Sequence, residues 1–256
     1  MKQVFRYYLA AVTSSLAFFV WALLFLFCFI LPIFCNYTGI VESYLMRPLL
    51  RSQAVIYAIW TFIILQGGYW SATFAFDRRQ SGLSVWWSSL GITPQQQFQG
   101  LFLAGVLPCL VFIVGGLGFL GLVSSFDRPI PIPLLIEQGV SIFFASLLYC
   151  GLCILLGTMV NASFAWSLSI ATFIFSVKGM IIARNVLTGL PIAIRYIGFW
   201  ILFFIPNFDL YFRPGAVIHF WPIMQWKVWL GVTLYTGVWM SIFRIAAKRL
   251  FRPCLT

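Results

Sequence analysis

The stretch LFLAGVLPCLVFIVGGLGFLGLVS, residues 101–124, contains no charged side chain. A helix rises about 1.5 Å per residue, so about 20 predominantly apolar residues cross the hydrocarbon core of a bilayer. The chain has further windows of this kind at residues 12–35, 54–76, 135–159, 163–184 and 223–244. The sequence therefore predicts an all-α integral membrane protein, with six transmembrane helices in a single domain that covers residues 1–256.

The overall composition excludes a soluble protein. Of the 256 residues, 62% are hydrophobic and only 8% are charged, and the chain contains 28 Phe and 11 Trp. A soluble domain of this length cannot bury so much apolar surface, whereas membrane lipid can cover it. The net charge is +11, but the basic residues are scattered between apolar runs and do not form the patch that nucleic acid requires. We therefore expect no nucleic-acid partner.

The distribution of basic residues predicts the orientation. Basic residues flank the first and last windows and follow the second: Lys2, Arg6, Arg78, Arg79, Arg244, Lys248, Arg249 and Arg252. Because Lys and Arg concentrate on the cytoplasmic side of membrane proteins, we expect both termini to be cytoplasmic. The expected location is the bacterial inner membrane.

Residues 186–206 are apolar enough to suggest a seventh crossing. Pro191 and Arg195 interrupt the run, and the uninterrupted part is too short to span a bilayer. We interpret this segment as a helix that lies at the outer interface or re-enters the membrane partway. The wider region 186–221 is then expected to form a lid or a partner surface at the outer face.

A polar stretch, FDRRQSGLSVWWSSLGITPQQQFQ at residues 76–99, separates the second and third windows. From Gly82 onward, apolar residues recur with the spacing i, i+3, i+4 and i+7, which is typical of an amphipathic helix. These residues are Leu83, Trp86, Trp87 and Leu90. Because such a short helix is marginal alone in water, we expect the membrane interface or a partner protein to hold it. The alternative role is a simple interfacial anchor, since Trp prefers that depth.

The end of the polar stretch carries a helix start signal. Gly91 suits the end of the amphipathic helix, and Thr93 followed by Pro94 is typical of a new N-terminus, with the hydroxyl as the cap and proline in the first turn. The sequence therefore predicts a second helix that starts at residue 94 and continues into the third span.

The order of these features resembles the cytoplasmic segment of ABC-2-type transporter permeases. That segment usually has the form E-R-x-x-G-(T/S)-L, then a short helix, a proline and a glycine that opens the third span. The matching residues are Arg79, Gly82, Leu83, Pro94 and Gly100. The stretch FIPNFDLY at residues 204–211 is similar to a P-N-F stretch that many bacterial members carry outside the membrane. Asp77 stands one place from the usual acid, and Gln95–Gln97 replace a common basic residue.

This resemblance implies a transport function. In the family the short helix is a coupling helix that sits in a cleft of a separate ATP-binding cassette ATPase subunit, and ATP is bound by that subunit. The permease pairs with a second copy or a paralogue and moves a lipid-like, polymeric or hydrophobic cargo. By resemblance, the ATPase-coupling residues are Arg78, Arg79, Gly82, Leu83, Trp86, Trp87 and Leu90.

Other functions find less support in the residues. The chain has one His and five acids, and it lacks a P-loop or a recognisable catalytic motif. Cys150 and Cys153 form a C-x-x-C, but no second pair completes a zinc site. Glu137 and Lys178 lie near span ends, where we expect them to reach the interface, and His219 is expected to be structural. We therefore expect no catalytic, cofactor or metal site.

Two alternatives to the ABC permease remain open. One is a secondary transporter or channel, and the other is a membrane-embedded assembly protein without a transport role. A proton-coupled transporter is expected to keep a carboxylate at mid-membrane, and no window has one at its centre.

Overall fold

The computed structural model describes residues 1–16, 18–20, 23–24, 47–127, 130–203, 205–212 and 223–251. All regular secondary structure in these residues is helical. The α-helices are α1 (Lys2–Thr13), α2 (Arg47–Phe62), α3 (Gly68–Gln80), α4 (Leu83–Ser89), α5 (Pro94–Asp127), α6 (Ile132–Met159), α7 (Ala162–Ile174), α8 (Met180–Thr188), α9 (Ile192–Phe203) and α10 (Trp226–Leu250). A π-helical turn, Ile63–Gly67, joins α2 to α3, and another, Phe175–Gly179, joins α7 to α8.

The described residues contain five helices that are long and apolar enough to cross a membrane: Ala54–Gln80, Pro94–Leu122, Ile132–Met159, Ala162–Gly179 and Trp226–Leu250. They coincide with the second to sixth predicted windows, so the prediction of an all-helical integral membrane protein is confirmed. Most of the first predicted span, residues 12–35, lies outside the described residues. The six-span layout therefore stays a prediction.

Helix α6 occupies the centre of the bundle and packs against α3, α5, α7 and α10. Small residues allow the close approach. A Cβ added to Gly157 would stand 2.5 Å from the backbone oxygen of Ala72 in α3. A Cβ added to Gly151 would likewise stand 2.5 Å from the ring of Phe243 in α10. In a bilayer, where van der Waals packing drives helix association, such contacts stabilise the bundle.

The π-turn Ile63–Gly67 interrupts the span Ala54–Gln80 at its middle. A π-turn frees backbone carbonyls from the regular helical ladder. The oxygen of Ile64 accepts hydrogen bonds from Tyr149 Oη at 3.1 Å and from Trp166 Nε1 at 3.2 Å. These two side chains, from α6 and α7, satisfy the carbonyl inside the bundle and fix the irregular turn.

Most of the described basic residues lie at one end of the bundle, which we call the basic end: Lys2, Arg6, Arg78, Arg79, Arg244, Lys248 and Arg249. Helix α1 lies here as a separate amphipathic helix. Its buried residues Val4, Tyr8 and Val12 recur every fourth position and form one face. Val4 packs directly on Gly100, where a Cβ would stand 2.7 Å from its side chain. The sequence predicted only a basic lead-in to the first span at this position.

The opposite end carries α8 and α9, which are separated at Pro191. A helical segment was predicted between the last two spans, and the structure has helices there. That residues 186–221 form a lid or a partner surface at the outer face stays a prediction, but Phe208 of this region does not lie at the surface. Phe208 is fully buried, with its ring centroid 6.0 Å from Tyr149 and 5.2 Å from Phe173. Its N–H donates to Ser176 Oγ at 2.6 Å. The P-N-F segment therefore packs between membrane helices, because its large apolar side chain fills space beside the second π-turn.

Candidate functional site

Helix α4 lies between the spans that end at Gln80 and begin at Pro94. Two glycines bound it, Gly82 with φ +68° and Gly91 with φ +74°. Residues with a Cβ avoid this left-handed region, so the glycines set the sharp entry to and exit from the helix. The structure thus has the short helix predicted for residues 82–90, with ends at Leu83 and Ser89.

The next helix begins at the predicted position. The N–H of Gln96 donates to Thr93 Oγ1 at 3.3 Å, and the N–H of Thr93 donates to Gln96 Oε1 at 3.0 Å. This reciprocal pair is a capping box, and Pro94 occupies the first turn. The connection from α4 to α5 therefore has a fixed geometry.

The apolar residues of α4 divide between two faces. Trp87 is buried, with 2% of its surface exposed, and Leu83 is half-buried on the same side. Trp86 is 56% exposed, Leu90 is 54% exposed and Val85 is 51% exposed. The stripe predicted from the sequence is therefore part anchor and part open surface. We call Val85, Trp86 and Leu90 the exposed face of α4.

Trp87 is held by α1. Its ring lies edge-on to Tyr8, with centroids 5.7 Å apart, and 6.3 Å from the ring of Tyr7. Tyr8 donates from Oη to the carbonyl oxygen of Phe74 in α3 at 3.3 Å. Burial, and secondarily the negative charge of Asp77, raise the pKa of Tyr8, so its hydroxyl stays protonated and able to donate. Trp87 thus joins α4 to α1 and, through Tyr8, to α3.

The contacts among α1, α3, α4, α5 and the end of α10 form a region that we call the junction. Gln97 is its polar centre and is fully buried. Its Oε1 accepts from Arg78 Nε at 2.8 Å, and its Nε2 donates to the carbonyl of Ile92 at 3.1 Å. The same Nε2 lies 3.4 Å from Ser88 Oγ in α4. One amide therefore connects α3, α4 and the start of α5, and it satisfies a buried guanidinium.

The two arginines predicted to face an ATPase make contacts within the chain. Arg78 is only 3% exposed, because its Nη2 donates to the carbonyl of Phe251 at 2.8 Å and its guanidinium lies over the Phe251 ring, 4.0 Å from the centroid. Arg79 Nη1 donates to the carbonyls of Thr158 and Met159, both at 3.0 Å. Arg79 thus caps the C-terminus of α6, a favourable position for a cation. In this conformation Arg78 cannot reach the acids of another protein.

The site combines contacts between several helices with an exposed apolar surface. Its contacts join α1, α3, α4, α5 and the end of α10, while the exposed face of α4 points away from them. Among the residues that the structure describes, no group of three or more His, Cys, Asp or Glu side chains is placed to hold a metal. The contacts within the junction are hydrogen bonds and aromatic packing.

The other residues that the sequence singled out lie elsewhere. Glu137 is 3% exposed and accepts from the backbone N–H of Met224 at 3.0 Å, so the expectation that it reaches the interface is wrong. Lys178 is exposed in the second π-turn. Cys150 and Cys153 are free and buried in α6. His219 lies outside the described residues.

Sequence reasoning missed three residues of the junction: Tyr8, Gln97 and Phe251. The four-residue spacing of Val4, Tyr8 and Val12 was a usable signal for the buried face of α1. For Gln97 and Phe251 the local sequence carries no such signal, since their partners come from distant segments.

Comparison of the chain with models of known protein families, with curated proteins and with solved structures gives no match.

Proposed function

We propose that the chain is the membrane-spanning permease subunit of an ATP-binding cassette transporter. A separate ATPase subunit binds and hydrolyses ATP at the basic end, where α4 serves as the coupling helix. The observation that carries the proposal is the division of α4 into a buried anchor, Trp87, and an exposed apolar face of Val85, Trp86 and Leu90.

The exposed face of α4 lies between two candidate spans and outside both of them. Adjacent large apolar side chains exposed outside the spans mark interaction surfaces, and Trp is enriched among residues that dominate binding energy. A helix of seven residues would not persist by itself. Here Trp87 and Gln97 hold it in place, so the helix presents a preformed surface to a partner.

The contacts of the junction also suggest how force would enter the membrane. Displacement of α4 pulls on Gln97 through Ser88 and the carbonyl of Ile92. Gln97 is bonded to Arg78, which is bonded to the end of α10. A movement imposed by a partner therefore reaches α3, α5 and α10 together, as coupling of ATP hydrolysis to a permease requires.

The proposed class of protein, an ABC transporter permease, also implies a topology, a location, a partner subunit and a kind of cargo. The subunit has six spans with both termini in the cytoplasm of a bacterium, and it lies in the inner membrane. It works with a second permease copy or a paralogue, because two ATPase subunits act together in such transporters. Its cargo is lipid-like, polymeric or hydrophobic. The alternatives are a secondary transporter or channel and a non-transporting assembly protein.

Co-purification tests the proposal. The chain is co-expressed with the ATP-binding cassette ATPases of the same genome, as wild type and as the double variant Trp86→Ser, Leu90→Ser. We expect one ATPase to co-purify with the wild type and to be lost from the double variant. Trp226→Ser is the matched control, because Trp226 is 69% exposed on α10 at the opposite end of the bundle.

Two outcomes would contradict the coupling role. If the ATPase binds the double variant as well as the wild type while less variant reaches the membrane, α4 is an interfacial anchor. If no ATPase co-purifies with the wild type and transport persists without ATP hydrolysis, the chain belongs to the secondary-transporter class.

A further inference from the structure

A groove of about 440 Å³ lies at the basic end, bordered by α5, α10 and Met1. It is separate from the exposed face of α4. Its apolar lining comes from Phe98, Phe102, Leu103 and Met240, and its polar lining includes Gln99 and Arg244. The groove therefore combines an apolar floor with a cationic edge.

The floor of the groove is built from packed aromatic rings. The rings of Phe98 and Phe102 stack with centroids 5.9 Å apart, and Phe98 meets Phe251 edge-on at 5.8 Å. Leu103, at the border, is 42% exposed. Both walls, α5 and α10, belong to helices that are long and apolar enough to cross a membrane, so a lipid at the perimeter of either helix is a suitable occupant to consider.

The cationic edge has no partner within the described chain. Arg244 is exposed, and its side chain makes no hydrogen bond or ion pair with any residue that the structure describes. Lys248 follows it by four residues on α10 and therefore lies on the same helical face. No acidic residue is among the described residues that line the groove. Arg244 thus borders an apolar cleft, Lys248 lies one helical turn further along the same face of α10, and neither cation is paired with a described acid.

We propose that this groove binds an anionic phospholipid. An acyl chain lies against Phe102, Leu103 and Met240, and the phosphate meets Arg244 and Lys248. Basic pockets between transmembrane helices are suited to anionic head groups, and long cationic side chains reach the head-group level from the end of a span. A second copy of this chain fits the groove less well, since it brings no acid from the same patch to oppose the two cations.

Lipid binding to the purified protein tests the proposal. Phosphatidylglycerol and phosphatidylcholine are titrated into the detergent-solubilised full chain, and bound lipid is counted by native mass spectrometry. Arg244→Gln is expected to weaken phosphatidylglycerol binding about fivefold, which corresponds to the ~1 kcal/mol of one cation near an anionic surface. Phosphatidylcholine binding should not change.

Arg249→Gln is the matched control. It removes the same charge from the same end of α10, but five residues from Arg244, and so it points to another side of the helix. We expect it to change phosphatidylglycerol binding less than twofold. Equal losses for the two variants would mean that diffuse attraction, and no defined site, retains the lipid.

A second variant tests the apolar floor. Ser241→Trp fills the groove and leaves both cations in place, and it should abolish the preferential binding. Glycerophosphate, which has the head group without acyl chains, should not compete. Competition by glycerophosphate, or unchanged lipid binding by Ser241→Trp, would overturn the proposal. A change of oligomeric mass in Arg244→Gln with unchanged lipid binding would instead identify an interface between copies.

Discussion

The guanidinium of Arg78 lies over the ring of Phe251, 4.0 Å from its centroid, and donates to the same residue's carbonyl oxygen at 2.8 Å. The two residues are 173 positions apart in the chain. Their contact ties the end of α3 to the end of α10. Because the guanidinium is buried, separating these helices would leave a charge without its partners, which is costly.

Arg78→Lys should destabilise the protein although it keeps the charge. A lysine cannot bond both Gln97 Oε1 and the Phe251 carbonyl in the forked geometry of arginine. Loss of a hydrogen bond to a charged group costs about 1.5–3 kcal/mol. Thermal unfolding in detergent measures the effect, and Arg249→Lys, at an exposed position on α10, is the control. Equal unfolding temperatures for both variants would contradict the structural role of Arg78.

The neighbouring tryptophans of α4 should respond oppositely to substitution. Trp87→Ala removes a buried ring that packs edge-on against Tyr8 of α1 and should cost about 3–5 kcal/mol of stability. Trp86→Ala removes a half-exposed ring and should leave the free energy of unfolding of the isolated chain within about 0.5 kcal/mol. Denaturant unfolding of the two variants makes the comparison. A larger loss for Trp86→Ala would mean that the faces of α4 are assigned in reverse.

Gly91→Ala isolates a backbone effect. Its φ is +74°, and no atom lies within 4 Å of an added Cβ, so the cost is conformational strain of about 1–2 kcal/mol. Gly237 in α10 also has open space but lies inside a helix. Gly237→Ala should therefore stabilise the protein, by up to about 1 kcal/mol. Thermal stability measured side by side should move in opposite directions, and a stabilising Gly91→Ala would refute the left-handed turn.

Ser176→Ala tests the buried P-N-F segment. It removes the acceptor of the Phe208 N–H and leaves a buried donor unsatisfied, which costs about 1–3 kcal/mol. Ser241→Ala serves for comparison, since Ser241 is exposed and bonds only a carbonyl of its own helix. Hydrogen exchange at Phe208 should accelerate in Ser176→Ala alone. Unchanged exchange would indicate that this segment is not held by Ser176.

Patterns confined to one segment predicted much of the local structure. Five spans followed from apolar windows, because a helix in a bilayer satisfies its own backbone and needs only length and apolar side chains. The start of α5 followed from Thr93 and Pro94, since a capping box involves residues three apart. The existence of α4 followed from the spacing of its apolar residues.

The function of α4 illustrates what local patterns leave open. The spacing of Leu83, Trp86, Trp87 and Leu90 defines an apolar arc, but it does not say which part of the arc meets the rest of the chain. Contact with Tyr8 of α1 buries Trp87, while Trp86 remains exposed. The sequence predicted that all four residues share one docking surface. In the structure only Trp86 and Leu90 of the four are exposed and available to a partner.

The sequence by itself determined that this is a membrane protein and where most of its candidate spans lie. It also determined the position of α4 and the start of α5. Hydropathy and capping act over a few neighbouring residues, so a short stretch of sequence is enough to reveal them. Only the tertiary structure decided the roles of Arg78, Gln97 and Phe208. Each is fixed by a partner from a remote segment: the carbonyl of Phe251, the guanidinium of Arg78, and the hydroxyl of Ser176. A buried polar group must take whichever partner the packed helices bring within reach, and that choice is a property of the whole bundle.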